Sequence, residues 1–128
     1  MLAVGPVVEV EALLAVPVVL GAASGALVRD AVVRRAREMA QRADLGVLAA
    51  NLAACAVAGF ATALSAPWQA LLVAGFAGGL STWSGLAVEV AGFMRARQWG
   101  RVALHLPCAL AAALVVFVAA RVVQGGAP

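Results

Sequence analysis

Lysine and tyrosine are absent from this chain, and histidine occurs once. All nine basic residues are therefore arginines, which stay charged at any physiological pH. Cysteine occurs twice, as Cys55 and Cys108, each in an apolar stretch. With no C-x-x-C and no His/Cys cluster, a metal or disulfide centre is not expected; the two thiols read as small buried packing residues. Only 12% of residues are charged, too few to cover the surface of a soluble domain this size. No nucleophile or metal-catalytic cluster stands out, so an enzyme is not expected.

Apolar residues are abundant instead. They make up 65% of the 128 residues, against about 45–50% in soluble domains. The mean hydropathy is +1.03, which suits a lipid bilayer as solvent. A pI near 10.2 would fit nucleic acid, but the arginines lie between apolar segments, where they mark membrane topology. No nucleic-acid partner is expected.

The pattern predicts a single four-helix transmembrane domain over 1–128, an all-α membrane protein. The spans cover about 8–28, 45–64, 68–94 and 102–123, each near the roughly 20 residues that cross a hydrocarbon core. Pro17 and Pro107 fall inside the first and fourth. Glu9 and Glu11 replace the basic region of a secretory signal, so the first span is expected to be retained. Residues 29–44 read as a basic helical extension, Ser65-Ala66-Pro67 as a tight turn, and residues 95–101 as a short basic loop. The tail from Gln124 to Pro128 reads as frayed.

Because spans alternate, the first and third connections share a face. That face carries Arg29, Arg34, Arg35, Arg37, Arg42, Arg95, Arg97 and Arg101; the other carries only Arg121. The positive-inside rule then predicts a multi-pass protein of the cell membrane, with termini outside and loops 29–44 and 95–101 cytoplasmic.

The third span is interrupted. Gly75-Phe76-Ala77-Gly78-Gly79-Leu80-Ser81-Thr82-Trp83-Ser84-Gly85 holds four glycines and three hydroxyls between apolar flanks. Glycine disfavours a helix interior by roughly 1 kcal/mol relative to alanine. A broken helix at membrane depth persists only inside protein or along a water-filled cavity, and its free carbonyls suit cations. Gly21, Gly25, Ala54, Ala58, Gly59, Gly75 and Gly79 also give small-xxx-small spacings, which allow close helix packing.

Several polar residues fall within these spans. Asn51 either bonds a neighbouring helix or lines a pore. Ser81, Thr82 and Ser84 either bond back to their own helix or face an aqueous path. Glu89 is a functional candidate by its depth, or an interfacial acid that snorkels. His105 reads as an interfacial or packing residue. Trp83 and Leu86, three apart, read as sharing one helix face.

Together these stretches resemble the Fluc (CrcB) fluoride channels. That family carries Gly-Phe-x-Gly-Gly-x-Thr-Thr-Phe-Ser-Thr-Phe followed by Glu; here the stretch is Gly75 to Leu86, then Glu89. Its first-span Gly-x-x-x-Gly-Ala-x-x-Arg appears as Gly21, Gly25, Ala26 and Arg29. Its second-span element appears as Gly46, Asn51, Ala54, Cys55, Ala56 and Gly59.

The resemblance implies an antiparallel, inverted dimer of the dual-topology type that exports toxic fluoride passively through two narrow pores. It implies a structural sodium ion at the dimer centre, held by main-chain carbonyls of Gly78 and Ser81. It places Asn51, Ser81, Thr82, Trp83, Ser84, Leu86 and Glu89 on the ion path. The departures are specific. Trp83 and Leu86 stand for two pore phenylalanines, Gly85 for a threonine, Ala54-Cys55-Ala56 for Gly-Ser-Phe, and His105 and Ala109 for a tyrosine and a serine. An antiparallel homodimer needs one sequence inserted both ways, yet the arginines fix one orientation. The expected partner is therefore a paralogous subunit of opposite orientation. Two rivals remain: a small multidrug-resistance-type exporter, and a non-conducting membrane scaffold.

Overall fold

The computed structural model describes the backbone of residues 6–125 and the side chains of residues 13–125. The side chains of Glu9 and Glu11, and the tail beyond Gly125, lie outside the described residues. Among the described residues, four helical segments are long and apolar enough to cross a membrane, as expected.

Helix α1 (Pro6–Ala40) has 35 residues, so it runs about 52 Å at 1.5 Å per residue. That exceeds a hydrocarbon core of about 30 Å. The basic extension predicted after Val28 is therefore a continuation of the first span itself. Its charges pair along the exposed surface, Arg34 with Asp30 at 3.0 Å and Arg35 with Glu38 at 3.9 Å. The chain reverses at Gln41, whose left-handed φ of 53° ends the helix.

Helix α2 (Ala43–Ala61) ends three residues earlier than predicted. The second turn is 62–65, not Ser65-Ala66-Pro67: Ser65 caps α3 (Ala66–Gln69), and Pro67 sits in its first turn, where the missing N–H costs nothing. Gln69 closes this turn by donating to the carbonyls of Thr62 and Leu64, at 3.0 and 2.7 Å.

The third span continues as a π-helix over Ala70–Ala77, then as α4 (Gly78–Leu80), and resumes as α5 (Trp83–Arg95). Only Ser81 and Thr82 leave helical geometry, with ψ of 152° and 113°. The break is thus narrower than the Gly75–Gly85 stretch that predicts it, and Gly75, Gly78 and Gly79 are helical. Helix α6 (Trp99–Val123) contains Pro107 and completes the bundle.

Two of those glycines serve packing. Gly21 lies against Gly75, and Gly79 against the Ala22 backbone, so α1 touches the π-helical segment backbone to backbone. Gly25 meets the carbonyl of Phe76. On the other side of α2, a Cβ on Gly59 would fall 2.7 Å from Ala120 Cβ of α6. The buried centre is Ala50, Ala54, Ala77 and Leu80, with Val57, Ala58 and Phe76 packed against it. Small side chains make this core because lipid is as apolar as leucine, and close van der Waals contact must hold the helices together. Larger apolar residues point outward, among them Leu13, Leu20 and Leu27 on α1 and Leu104, Leu114 and Val122 on α6.

The connections segregate as the arginine count requires. Arg42 and Arg101 line a common pocket at one end. Thr62, Arg121 and Gln124 meet at the other, where Gln124 donates to the Phe60 carbonyl at 2.7 Å.

Candidate functional site

The break re-routes hydrogen bonds that an unbroken helix would make. Thr82 N–H would donate to the carbonyl of Gly78, four residues earlier. It donates instead to Asn51 Oδ1 of α2, at 2.8 Å. Gly85 N–H would reach the carbonyl of Ser81; it goes to Thr82 Oγ1 at 3.0 Å, so Thr82 is the N-cap of α5. The released Ser81 carbonyl faces the Arg29 guanidinium of α1, with Nη1 at 3.5 Å. The released Gly78 carbonyl accepts from the Ser81 hydroxyl, at 3.4 Å.

Ser81 bonds back and Thr82 caps, while Thr82 Oγ1 and Ser84 Oγ lie 3.0 Å apart beside a cavity. That cavity, of about 370 Å³, is lined by Arg29, Arg37, Thr82, Ser84 and Glu89. Asn51 is half-buried, with its amide oxygen committed to Thr82. Gly78 and Ser81 line a different groove, of about 450 Å³, with Ala54, Cys55, Ala58 and Phe117. The two residue pairs thus line different pockets.

Trp83 and Leu86, three apart in α5, differ in burial. Trp83 is 69% exposed and Leu86 6%. Trp83 is the first residue of α5. Leu86, one turn on, packs inward. Cys108 is exposed, which corrects its reading as a buried thiol; Cys55 is half-buried, and both are free.

Glu89 does not snorkel to the surface. It pairs with His105 of α6, Oε2 to Nε2 at 3.2 Å, with side chains only 11% and 18% exposed. Phe93 meets the imidazole edge-on, ring centres 5.3 Å apart. The sequence reading gave no site role to Arg29 or His105. Their contacts lie 52 and 16 residues away along the chain, beyond any helical spacing.

A sodium ion would need oxygen donors. The Gly78 carbonyl fits, since the Thr82 N–H that would bond it in a continuous helix goes to Asn51 instead. The Ser81 carbonyl has a second lone pair beside the Arg29 contact. Neutral carbonyls without carboxylates suit a monovalent ion better than a divalent one.

Residues 16–122 match the model of the CrcB-like protein, Camphor Resistance (CrcB), family. The chain belongs to the CrcB family. It is 34% identical over 100 residues to the fluoride-specific ion channel FluC of Chromobacterium violaceum, covering 70% of this chain and 79% of that one. It is 36% identical over 91 residues to fluoride-specific ion channel FluC 1 of Prochlorococcus marinus, covering 64% and 70%. A shorter match, 44% over 55 residues, joins it to FluC 2 of Corynebacterium diphtheriae, covering 43% of this chain and 53% of that one. Membership sets the chain among channel proteins and not among enzymes. The multidrug-exporter and scaffold readings are not favoured by these matches.

Proposed function

We propose that this CrcB-family chain is a fluoride channel subunit that lets fluoride leave the cytoplasm passively. The observation that carries this reading is the Asn51–Thr82 bond across the break, set in a chain whose relatives are named fluoride-specific channels. Fluoride is held strongly by water, so a narrow path must offer donors in exchange. With its oxygen bonded to Thr82, the Asn51 amide presents its two N–H donors elsewhere. The N-terminus of α5 opens at the same break, and a helix N-terminus attracts anions. Ser84 and Thr82 hydroxyls continue the donor line toward Glu89. Trp83, exposed at the break, would reach the path from the partner's side, while Leu86 would act as packing.

The partner is proposed to be an antiparallel paralogue, with this chain's termini outside and its arginine-rich end in the cytoplasm. The arginine asymmetry supports this, as do the numbered names FluC 1 and FluC 2 among the relatives. Gly78 and Ser81 carbonyls would hold sodium where the two subunits meet. When bound, that ion would add positive potential and brace the dimer.

Gly78→Val separates this reading from simple packing. Gly78 is exposed and its nearest neighbour is 3.7 Å away, so the isolated subunit has room for the new side chain. The variant is expected to fold, but to lose the dimer on size-exclusion chromatography and at least about tenfold in flux, the factor for 1.4 kcal/mol. Fluoride efflux from liposomes, with the chain alone and with a paralogue, tests the function itself. Absence of flux in both would remove it.

A further inference from the structure

Glu89 stands between two cavities. One leads to the break and is lined by Thr82 and Ser84; the other, of about 450 Å³, opens among Arg42, Phe93 and Arg101 at the arginine-rich end. Glu89 lines both, so an anion crossing between them comes close to this carboxylate. An ionised carboxylate repels fluoride, and the repulsion is strong where water is sparse. Yet Glu89 is 11% exposed, and its Oε1 is buried with no hydrogen-bond partner among the described residues. A bare negative charge in that setting is costly.

One contact resolves both problems. Among the described residues, His105 is the only ion-pair partner of Glu89. Other charged groups line the same cavities. Arg42 is held by Asp44 of α2 through two contacts, at 2.7 and 3.3 Å. Arg101 of α6 lies over the Phe93 ring, 5.8 Å from its centre. Arg29, Asp30 and Arg37 of α1 line the break-side cavity, with Arg29 against the Ser81 carbonyl. Cys108 shares a pocket with His105 and carries no charge as a thiol.

We propose that His105 is a positioning residue for conduction: it holds the Glu89 carboxylate and shares with it the single proton that makes the pair neutral. With that proton, whichever atom carries it, the pair presents no net charge to a passing anion. Without it, Glu89 is a fixed negative charge on the route. This rests on the conduction reading above, and it adds a pH dependence that the reading alone does not contain.

The test is fluoride efflux from liposomes, corrected for protein-free vesicles, between about pH 6 and about pH 9, the range that brackets histidine titration. Native flux should fall roughly tenfold as pH rises, the order expected for one added charge at partly screened distances. His105→Gln keeps a donor to Glu89 but carries no titrating proton, so its flux at neutral pH should match the native channel's alkaline value. Adding Glu89→Gln to His105→Gln removes the charge and should restore flux with a flat profile. A purely structural role predicts no such rescue. Because the chain has a single histidine, its imidazole ¹⁵N signals need no assignment. Their titration should move when Glu89→Gln is introduced. A flat native profile, or a double variant no better than His105→Gln, overturns this proposal while leaving conduction intact. No native flux at any pH overturns both.

Discussion

Replacing Gly25 with valine is expected to abolish the folded subunit. A side chain at Gly25 would run into the Phe76 carbonyl and lie 2.9 Å from the Leu80 nitrogen, both main-chain atoms of the third span. Neither can move without shifting the π-helical segment or α4. Gly21 faces the same wall, through the Leu71 carbonyl and the Phe76 nitrogen. Overpacking a tight contact costs about 1–3 kcal/mol where side chains can give, and more where backbone must. Against a total stability of about 5–15 kcal/mol, prising α1 from the third span leaves little. Small side chains, not apolar bulk, hold these helices together in lipid, so no compensating contact is available. Thermal unfolding in detergent, followed by intrinsic tryptophan emission, should show no cooperative transition for Gly25→Val. Gly92→Ala is the control: among the described residues, nothing beyond its own helix backbone lies within 4 Å of the new methyl, and the variant should unfold at or slightly above the native temperature.

The same glycines show what the sequence made legible and what it hid. Apolar run length located four spans, because a bilayer sets that length directly. The interruption was also legible, since hydroxyls and glycines gather there. Its extent was not. Gly75 and Gly79 carry weak helix propensity, yet they remain helical because close approach to Gly21 and Ala22 outweighs that local cost. The π-helical turn over Ala70–Ala77 left no trace in sequence, being apolar throughout. Trp83 and Leu86 are three apart in α5, but spacing alone does not tell which of the two the neighbouring helices cover. The Glu89–His105 pair joins two helices 16 residues apart, a contact that only the packing of α5 on α6 creates. Arg29 was visible as part of a motif, but its approach to the Ser81 carbonyl depends on α1 lying beside the break.

Asn51→Ala should have the largest effect on transport of any change at the break. Three consequences follow from one side chain. The Thr82 N–H loses its acceptor in a region where water is scarce, at a cost of about 1–3 kcal/mol. The break is no longer tied to α2, so Thr82 N–H is free to return to the Gly78 carbonyl and restore continuous helix. The amide donors are also gone from the path. Flux should fall by at least about a hundredfold, the factor for the loss of two such contacts near 1.4 kcal/mol each. Asn51→Asp distinguishes among these causes. A carboxylate still accepts from Thr82 N–H and keeps the break in place, so the variant should fold with near-native thermal stability. It offers no donors and adds a negative charge where an anion must pass. If Asn51 lines the path, Asn51→Asp folds and fails to conduct, while Asn51→Ala is both less stable and inactive. If Asn51 only fastens two helices together, the aspartate variant conducts like the native channel. The paired measurement of unfolding temperature and fluoride efflux separates anchoring from permeation at a residue whose geometry serves both.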